Sequence, residues 1–245
     1  MNRSKLIAIG AVCLALTGCA HANNRSPQEL LSLSVAGLSG VDRYAFSGET
    51  GIGTGTQADR NPSAYQGTVS NHNQVNVQGT GGSMLPSQRN PLELLNEIEA
   101  AAVKTEIIPE ESTGQRTVLR ITTDPKKTAA LWSDRLRGEF SLLEKKVPAN
   151  VSAAPQGQGH VQTQAKPLSP ADQSALEAEW NGELAHSRRT LESMLATMQA
   201  QSTCKLAIDR KKLLPLSLEE RTAFRYQVDG KPVEENRTTR LNFNL

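Results

Sequence analysis

The sequence predicts an α+β fold, an antiparallel sheet packed on helices, and three observations predict it. A capping side chain followed at once by proline occurs four times; runs of period-two hydrophobicity lie between these sites; and an Asp-Gly pair separates two such runs near the C-terminus. Proline suits the first helical turn, where its missing N–H would have no partner. Alternation at period two marks a half-buried strand, and Asp-Gly between two strand patterns marks a hairpin.

The helix starts are Ser26-Pro27, Asn90-Pro91, Asp124-Pro125 and Ser169-Pro170. Glu29, Glu93 and Asp172 follow three of the caps by three residues, which completes a capping box for the serines and suits the positive end of the helix dipole for all three. Apolar residues then recur at helical spacing. Leu31, Val35 and Leu38 line the first helix, and Leu92, Leu95, Ile98 and Ala102 the second. Ala129, Trp132, Leu136, Phe140 and Leu143 line the third, and Leu176, Trp180, Leu184, Leu191, Leu195 and Met198 the fourth. Such stripes are expected to be core.

The strands follow from the alternation. Tyr44, Phe46 and Ile52 lie on one face of a strand bent or bulged by the glycines of "FSGETGIGTGTQ", and Tyr65 to Gln78 reads as the second arm of that hairpin, with Tyr65, Val69, Val75 and Val77 on one side. Thr117 to Thr123 and Cys204 to Ile208 read as shorter strands. Leu216, Leu218, Thr222, Phe224, Tyr226 and Val228 precede Asp229-Gly230, and Leu241, Phe243 and Leu245 follow it.

The N-terminus carries an address. Arg3 and Lys5 precede an apolar run, Leu6 to Leu16, that is too short to span a bilayer, and Leu16-Thr17-Gly18-Cys19 closes it. This ending resembles the lipobox of bacterial lipoproteins, in which the cysteine is acylated, with palmitate the expected chain, and becomes the mature N-terminus. Residues 1–18 therefore read as a lipoprotein signal peptide, 19–25 as a tether, and 26–245 as a single α+β domain with flexible polar segments at 79–90 and 147–169. With Cys13 in the signal and Cys19 acylated, Cys204 has no disulfide partner, so the fold must rest on its core. A hydrophobic fraction of 37% permits one. Acidic and basic residues alternate at a net charge of +2, so neither a nucleic-acid stripe nor a polybasic patch is expected.

Catalytic patterns do not assemble. Gly48, Gly51, Gly53 and Gly55 fit neither the dinucleotide fingerprint nor the P-loop, because no Gly-Lys-Ser/Thr follows and Pro62 stands where a helix would begin. Ser202-Thr203-Cys204-Lys205 matches Ser-x-x-Lys but lacks its companion motifs, and Ser39 is not in a nucleophile elbow. His21, His72, His160 and His186 are scattered, so no metal or cofactor is expected. Glu110-Glu111 and Glu219-Glu220 are expected at solvated turns or strand edges.

Taken together, the lipobox, the short first helix, "VDRYAFSGET", "YQGTVSNHNQV" and "LAIDRKKLLPLSLEERTAFRY" resemble lipoprotein-carrier-like domains, the LolA-like and LppX/LprG-type group, and uncharacterised exported lipoproteins of Gram-positive bacteria. Asp209, Lys211 or Lys212, and Pro215 match the group's Asp-x-Lys-x-x-x-Pro-like turn. The likeness covers roughly residues 26 to 78 and 204 to 245; the long middle helices exceed the group's pattern. It implies a curved antiparallel sheet, an incomplete barrel, packed on helices around an apolar cavity suited to a lipid. Tyr44, Phe46, Val69, Leu218, Phe224 and Tyr226 are its candidate ligand-binding residues. The expected protein is a non-enzymatic, extracytoplasmic lipoprotein anchored to the bacterial cell membrane that binds a hydrophobic or lipid ligand. The alternative is a non-catalytic cell-envelope assembly partner that binds another protein.

Overall fold

The computed structural model describes residues 25–54, 60–79, 90–145 and 169–245. The signal peptide, Cys19, the tether up to residue 24, Gly55, His160, and residues 80–89 and 147–168 of the two polar segments lie outside the described residues. Helix α1 spans Pro27–Ser39, followed by β1 (Tyr44–Thr54), β2 (Arg60–Ser70) and β3 (Gln74–Gly79). Then come α2 (Pro91–Ala101), β4 (Ala102–Ile107), a 3-10 turn at Pro109–Glu111, β5 (Arg116–Thr123), α3 (Pro125–Glu144) and α4 (Pro170–Thr197), and finally β6 (Gln199–Asp209), β7 (Pro215–Val228) and β8 (Lys231–Asn244).

All four foreseen caps are made. Ser26 and Glu29 form a reciprocal capping box, with Ser26 N donating to Glu29 Oε2 at 3.0 Å. Asn90 Oδ1 accepts from Leu92 N, Asp124 Oδ1 from Lys127 N, and Ser169 Oγ from Asp172 N. Each cap contributes about 1 kcal/mol by occupying an N–H that the helix cannot bond itself. Gly79 and Asn90, read from sequence as part of a polar segment, belong to β3 and to the α2 cap.

The strands of the described residues form one antiparallel sheet in the order β3-β2-β1-β8-β7-β6-β5-β4. The edge strands do not meet, so the sheet is a curved, incomplete barrel. Asp229 and Gly230 have φ of 52° and 74°, and Val228 pairs with Lys231, which is the two-residue turn foreseen. The glycines of β1 do bulge the strand, with a register shift against β2 between Thr50 and Ile52. Tyr65 to Gln78 is not a single arm. Asn71 and His72 adopt positive φ and turn the chain, because a short polar asparagine tolerates the left-handed region. Its odd residues nevertheless keep one face, since Val69 lies opposite Val75 and Gly67 opposite Val77.

Two further expectations need correction. The second helix stops at Ala101, and Ala102 opens β4, an edge strand whose sequence AVKTEI carries no clean alternation. The third and fourth stripes are core only in part: Trp132 and Leu195 are buried, Leu143 at the end of α3 is exposed, and the other residues of both stripes are half-buried. At 1.5 Å per residue the 28 residues of α4 extend about 42 Å. Its last turn is tied to β7 through Thr197 Oγ1 and Gln227 N, while Arg137 with Glu192 and Arg188 with Glu144 join it to α3.

The main core lies between the sheet and α1 and α2. Leu31, Val35 and Leu38 meet Leu95 and Ile98 over Phe46, Val69, Leu206 and Leu218. A second cluster beneath α3 joins Trp132 to Ala200 and Phe224.

Candidate functional site

The site is built where α2, β5 and α3 succeed one another in the chain. Asp124 starts α3 and sets Thr128 one turn on, with Thr128 Oγ1 at 2.7 Å from Thr123 Oγ1 at the end of β5. Thr123 Oγ1 also accepts from Ser202 N on β6 at 3.1 Å, which fastens the start of α3 to the sheet. One and two turns after Thr128, α3 presents Trp132 and Arg135. Arg135 Nη2 donates to Glu97 Oε2 on α2 at 2.7 Å, and its guanidinium lies 4.0 Å from the centre of the Trp132 ring.

Beneath this pair, Glu220 of β7 points into the interior. Its Oε1 accepts from Ser202 Oγ at 3.2 Å and from Thr222 Oγ1 at 3.4 Å, and the two hydroxyls stand 2.6 Å apart. Burial pushes the Glu220 carboxyl above its ordinary range; Arg135, Ser202, Thr222 and Arg237 pull the other way without cancelling it.

A cleft of about 500 Å³ separates α2 from α3, with apolar walls contributed by Ala100, Ala101, Ala130 and Leu131. Lys127 Nζ donates to the Ala100 carbonyl at 2.8 Å and so bridges the last turn of α2 to the first of α3. The cleft shares Glu97, Ala101 and Leu131 with a chamber of about 20 Å³, floored by Thr123, Ser202 and Glu220. That chamber holds no more than a water or so. Ser202 Oγ, at its floor, donates to the Glu220 carboxyl. Among the described residues no group of three or more His, Cys, Asp or Glu side chains could hold a metal ion.

The six candidate ligand-binding residues all face the helices but do not share a cavity. Tyr44, Phe46, Val69 and Leu218 belong to the main core, whereas Phe224 and Tyr226 belong to the cluster under α3. Burial raises the Tyr44 phenol to about 12. Burial and Glu235, whose Oε2 accepts from the Tyr226 hydroxyl at 3.0 Å, raise Tyr226 to about 12. Cys19 lies outside the described residues.

The pairs read as solvated carboxylates divide. Glu219 faces outward to Arg221 and Arg240, while Glu220 is buried. The signal was present: Leu218, Glu220, Thr222 and Phe224 are successive even positions of one strand, so a core face through the other three includes the glutamate. The Ser-x-x-Lys match fails on the same ground, because Ser202 faces the interior and Lys205 pairs with Glu111 on the opposite side. The glycine-rich stretch is strand, not a phosphate loop; a Cβ on Gly48 would come 2.6 Å from the Tyr65 ring. Asp209 does make the foreseen turn: its Oδ1 accepts from Lys211 N and Lys212 N, each at 2.8 Å, and these bonds hold its carboxyl below the ordinary range.

No protein-family model matches this sequence, and no curated protein matches it. Among solved structures, a LolA superfamily protein from Nitrosomonas europaea is similar at 7% identity and a TM-score of 0.23, over 91% of this chain and 93% of that one. An acyl-CoA thioesterase II from Mycobacterium marinum is similar at 8% identity and a TM-score of 0.13, over 89% and 90%. Similarity at these scores carries no argument about ligand or reaction.

Proposed function

We propose that the protein is an extracytoplasmic lipoprotein, anchored to the bacterial cell membrane through acylated Cys19, that binds a hydrophobic or lipid ligand and catalyses no reaction. The observation that supports this best is the apolar cleft between α2 and α3, whose volume of about 500 Å³ falls in the range of small-ligand sites. An acyl chain laid along Ala100, Ala101, Ala130 and Leu131 would gain about 25 cal/mol for each Å² hidden from water. Separation of α2 from α3 would deepen the cleft towards the sheet.

The test is titration of the purified protein with a long-chain fluorescent fatty acid, alongside native mass spectrometry for co-purified lipid. Ala130→Trp places an indole in the cleft and should weaken binding about tenfold or more, since it removes the volume the chain would occupy. Absence of lipid, together with binding that is unchanged in the variant, would overturn the reading in favour of an assembly partner. The exposure of Leu142 and Leu143 at the end of α3 is the observation that favours that second reading. Anchoring is tested separately by membrane fractionation of Cys19→Ser, which should leave the pellet.

A further inference from the structure

We infer that the end of the sheet carrying the β6–β7 turn is a docking surface for an anionic lipid bilayer; this rests on anchoring at Cys19. In sequence Arg25, Arg116 and the run Arg210-Lys211-Lys212 lie far apart, but the fold gathers them. Arg25, the first described residue, lines one small cavity with Arg210, between Leu30, Ile107 and Leu213. The adjoining turn holds Lys211 and Lys212, both exposed. Arg210 N donates to the Gln115 carbonyl at 2.9 Å and its Nη1 to the Thr113 carbonyl at 3.3 Å, so the turn is fixed against the loop before β5, where Arg116 begins that strand.

Strand direction completes the surface. In this antiparallel sheet β4, β6 and β8 end where β5 and β7 begin, which brings Ile107, Leu216 and Leu245 to the same end, each roughly two-fifths exposed. The acids there are largely engaged. Asp209 is held by the turn amides, Glu111 pairs with Lys205 and Glu29 closes the capping box of Ser26, which leaves Glu110, and Asp42 at 3.7 Å from His72 before β1, against Arg25, Arg116, Arg210, Lys211 and Lys212.

The anchor selects the occupant. Cys19 stands six residues before Arg25, and six extended residues span about 20 Å at most. An acylated Cys19 therefore keeps this end, and not the Asp229-Gly230 hairpin at the far end of the 14-residue β7, within reach of the bilayer. A basic patch with exposed apolar side chains supplies the second signal that stable membrane attachment uses besides the acyl chains. Its attraction to anionic lipid fades beyond a Debye length, about 8 Å at physiological salt.

The experiment uses the full acylated protein in vesicles of phosphatidylglycerol and phosphatidylcholine containing brominated lipid. A fluorophore is placed by Lys211→Cys or by Lys231→Cys at the opposite end of β7; Cys204 is buried and does not compete for label. Several-fold stronger quenching at 211 than at 231 is expected, falling with added salt. Arg210→Glu with Lys212→Glu should reduce the preference for anionic over neutral vesicles about fivefold or more. Equal quenching at the two sites in vesicles that retain the protein overturns this inference alone. Protein that the vesicles do not retain overturns the anchoring reading, and this one with it.

Discussion

The Arg135 guanidinium lies face-on to the Trp132 ring, 4.0 Å from its centre, while the same arginine donates to Glu97 of α2. Arg237 of β8 stands 4.8 Å from that ring, and Phe224 of β7 meets it edge-on at 5.0 Å and 89°. One indole thus joins α3 to two strands, and its arginine neighbour joins α3 to α2. Attraction of a cation to the ring face is worth about 0.5–2 kcal/mol, most where water is excluded.

Trp132→Ala should therefore cost about 3–5 kcal/mol, as for other buried aromatics, because it leaves a void and strips two guanidiniums of their shared face. Urea denaturation measures it. A loss under 1 kcal/mol would show that α3 is held elsewhere, with the Thr123–Thr128–Ser202 cluster the next candidate.

Two glycines should respond in opposite directions. A Cβ on Gly67 would lie 2.5 Å from Phe46 Cζ and 2.8 Å from the Asn76 carbonyl, so Gly67→Ala forces a core ring or a strand to move, at about 1–3 kcal/mol. Gly138, within α3, has nothing within 4 Å, and Gly138→Ala should stabilise by about 0.5–1 kcal/mol because alanine loses less backbone freedom in a helix. The two thermal midpoints, measured side by side, should shift apart.

Glu220 makes stability depend on pH. Its folded pKa lies above the ordinary 4.5, so between the two values the folded chain binds more protons than the unfolded one. Stability from this group is then greatest below 4.5, falls as pH rises to the folded pKa, and is level above it. Glu220→Gln keeps the hydrogen bonds to Ser202 and Thr222 without the charge. It should flatten that slope and raise stability at neutral pH by about 1 kcal/mol. Denaturation at pH 5 and pH 8 decides the matter; an unchanged slope would mean that the guanidiniums offset the burial entirely.

Cys204 should be inert until the sheet opens. The side chain is wholly buried, and burial, with Glu220 adding to it, raises its thiol well above the ordinary range. A thiol reagent at pH 8 should leave it unmodified in buffer and modify it fully in guanidinium, at the rate of unfolding. Fast reaction in buffer would show that β6 opens locally.

The local elements were legible because their causes are local. A cap beside a proline at residues 26, 90, 124 and 169 starts a helix whatever surrounds it, and Asp229-Gly230 supplies the left-handed pair its hairpin needs. β4 was not legible, since AVKTEI has no periodicity and is strand only because β5 pairs with it. Nor was the break at Asn71, because an antiparallel return preserves the alternation that would have revealed it. The incomplete burial of the α3 and α4 stripes escaped for another reason: amphipathic spacing says which face is apolar, not how fully anything covers it.

By itself, then, the sequence determined the α+β class, the helix starts, the final hairpin and the sidedness of most strands, because caps, turns and period-two alternation act within a few residues. Only the tertiary structure decided that Glu97, Arg135 and Glu220 converge beside a cleft, and that Arg25 joins Arg210, Lys211 and Lys212 at one end of the sheet. Those meetings depend on strand order and on which helix lies over which strand. Side chains that lie far apart in the chain leave no mark on one another's local pattern.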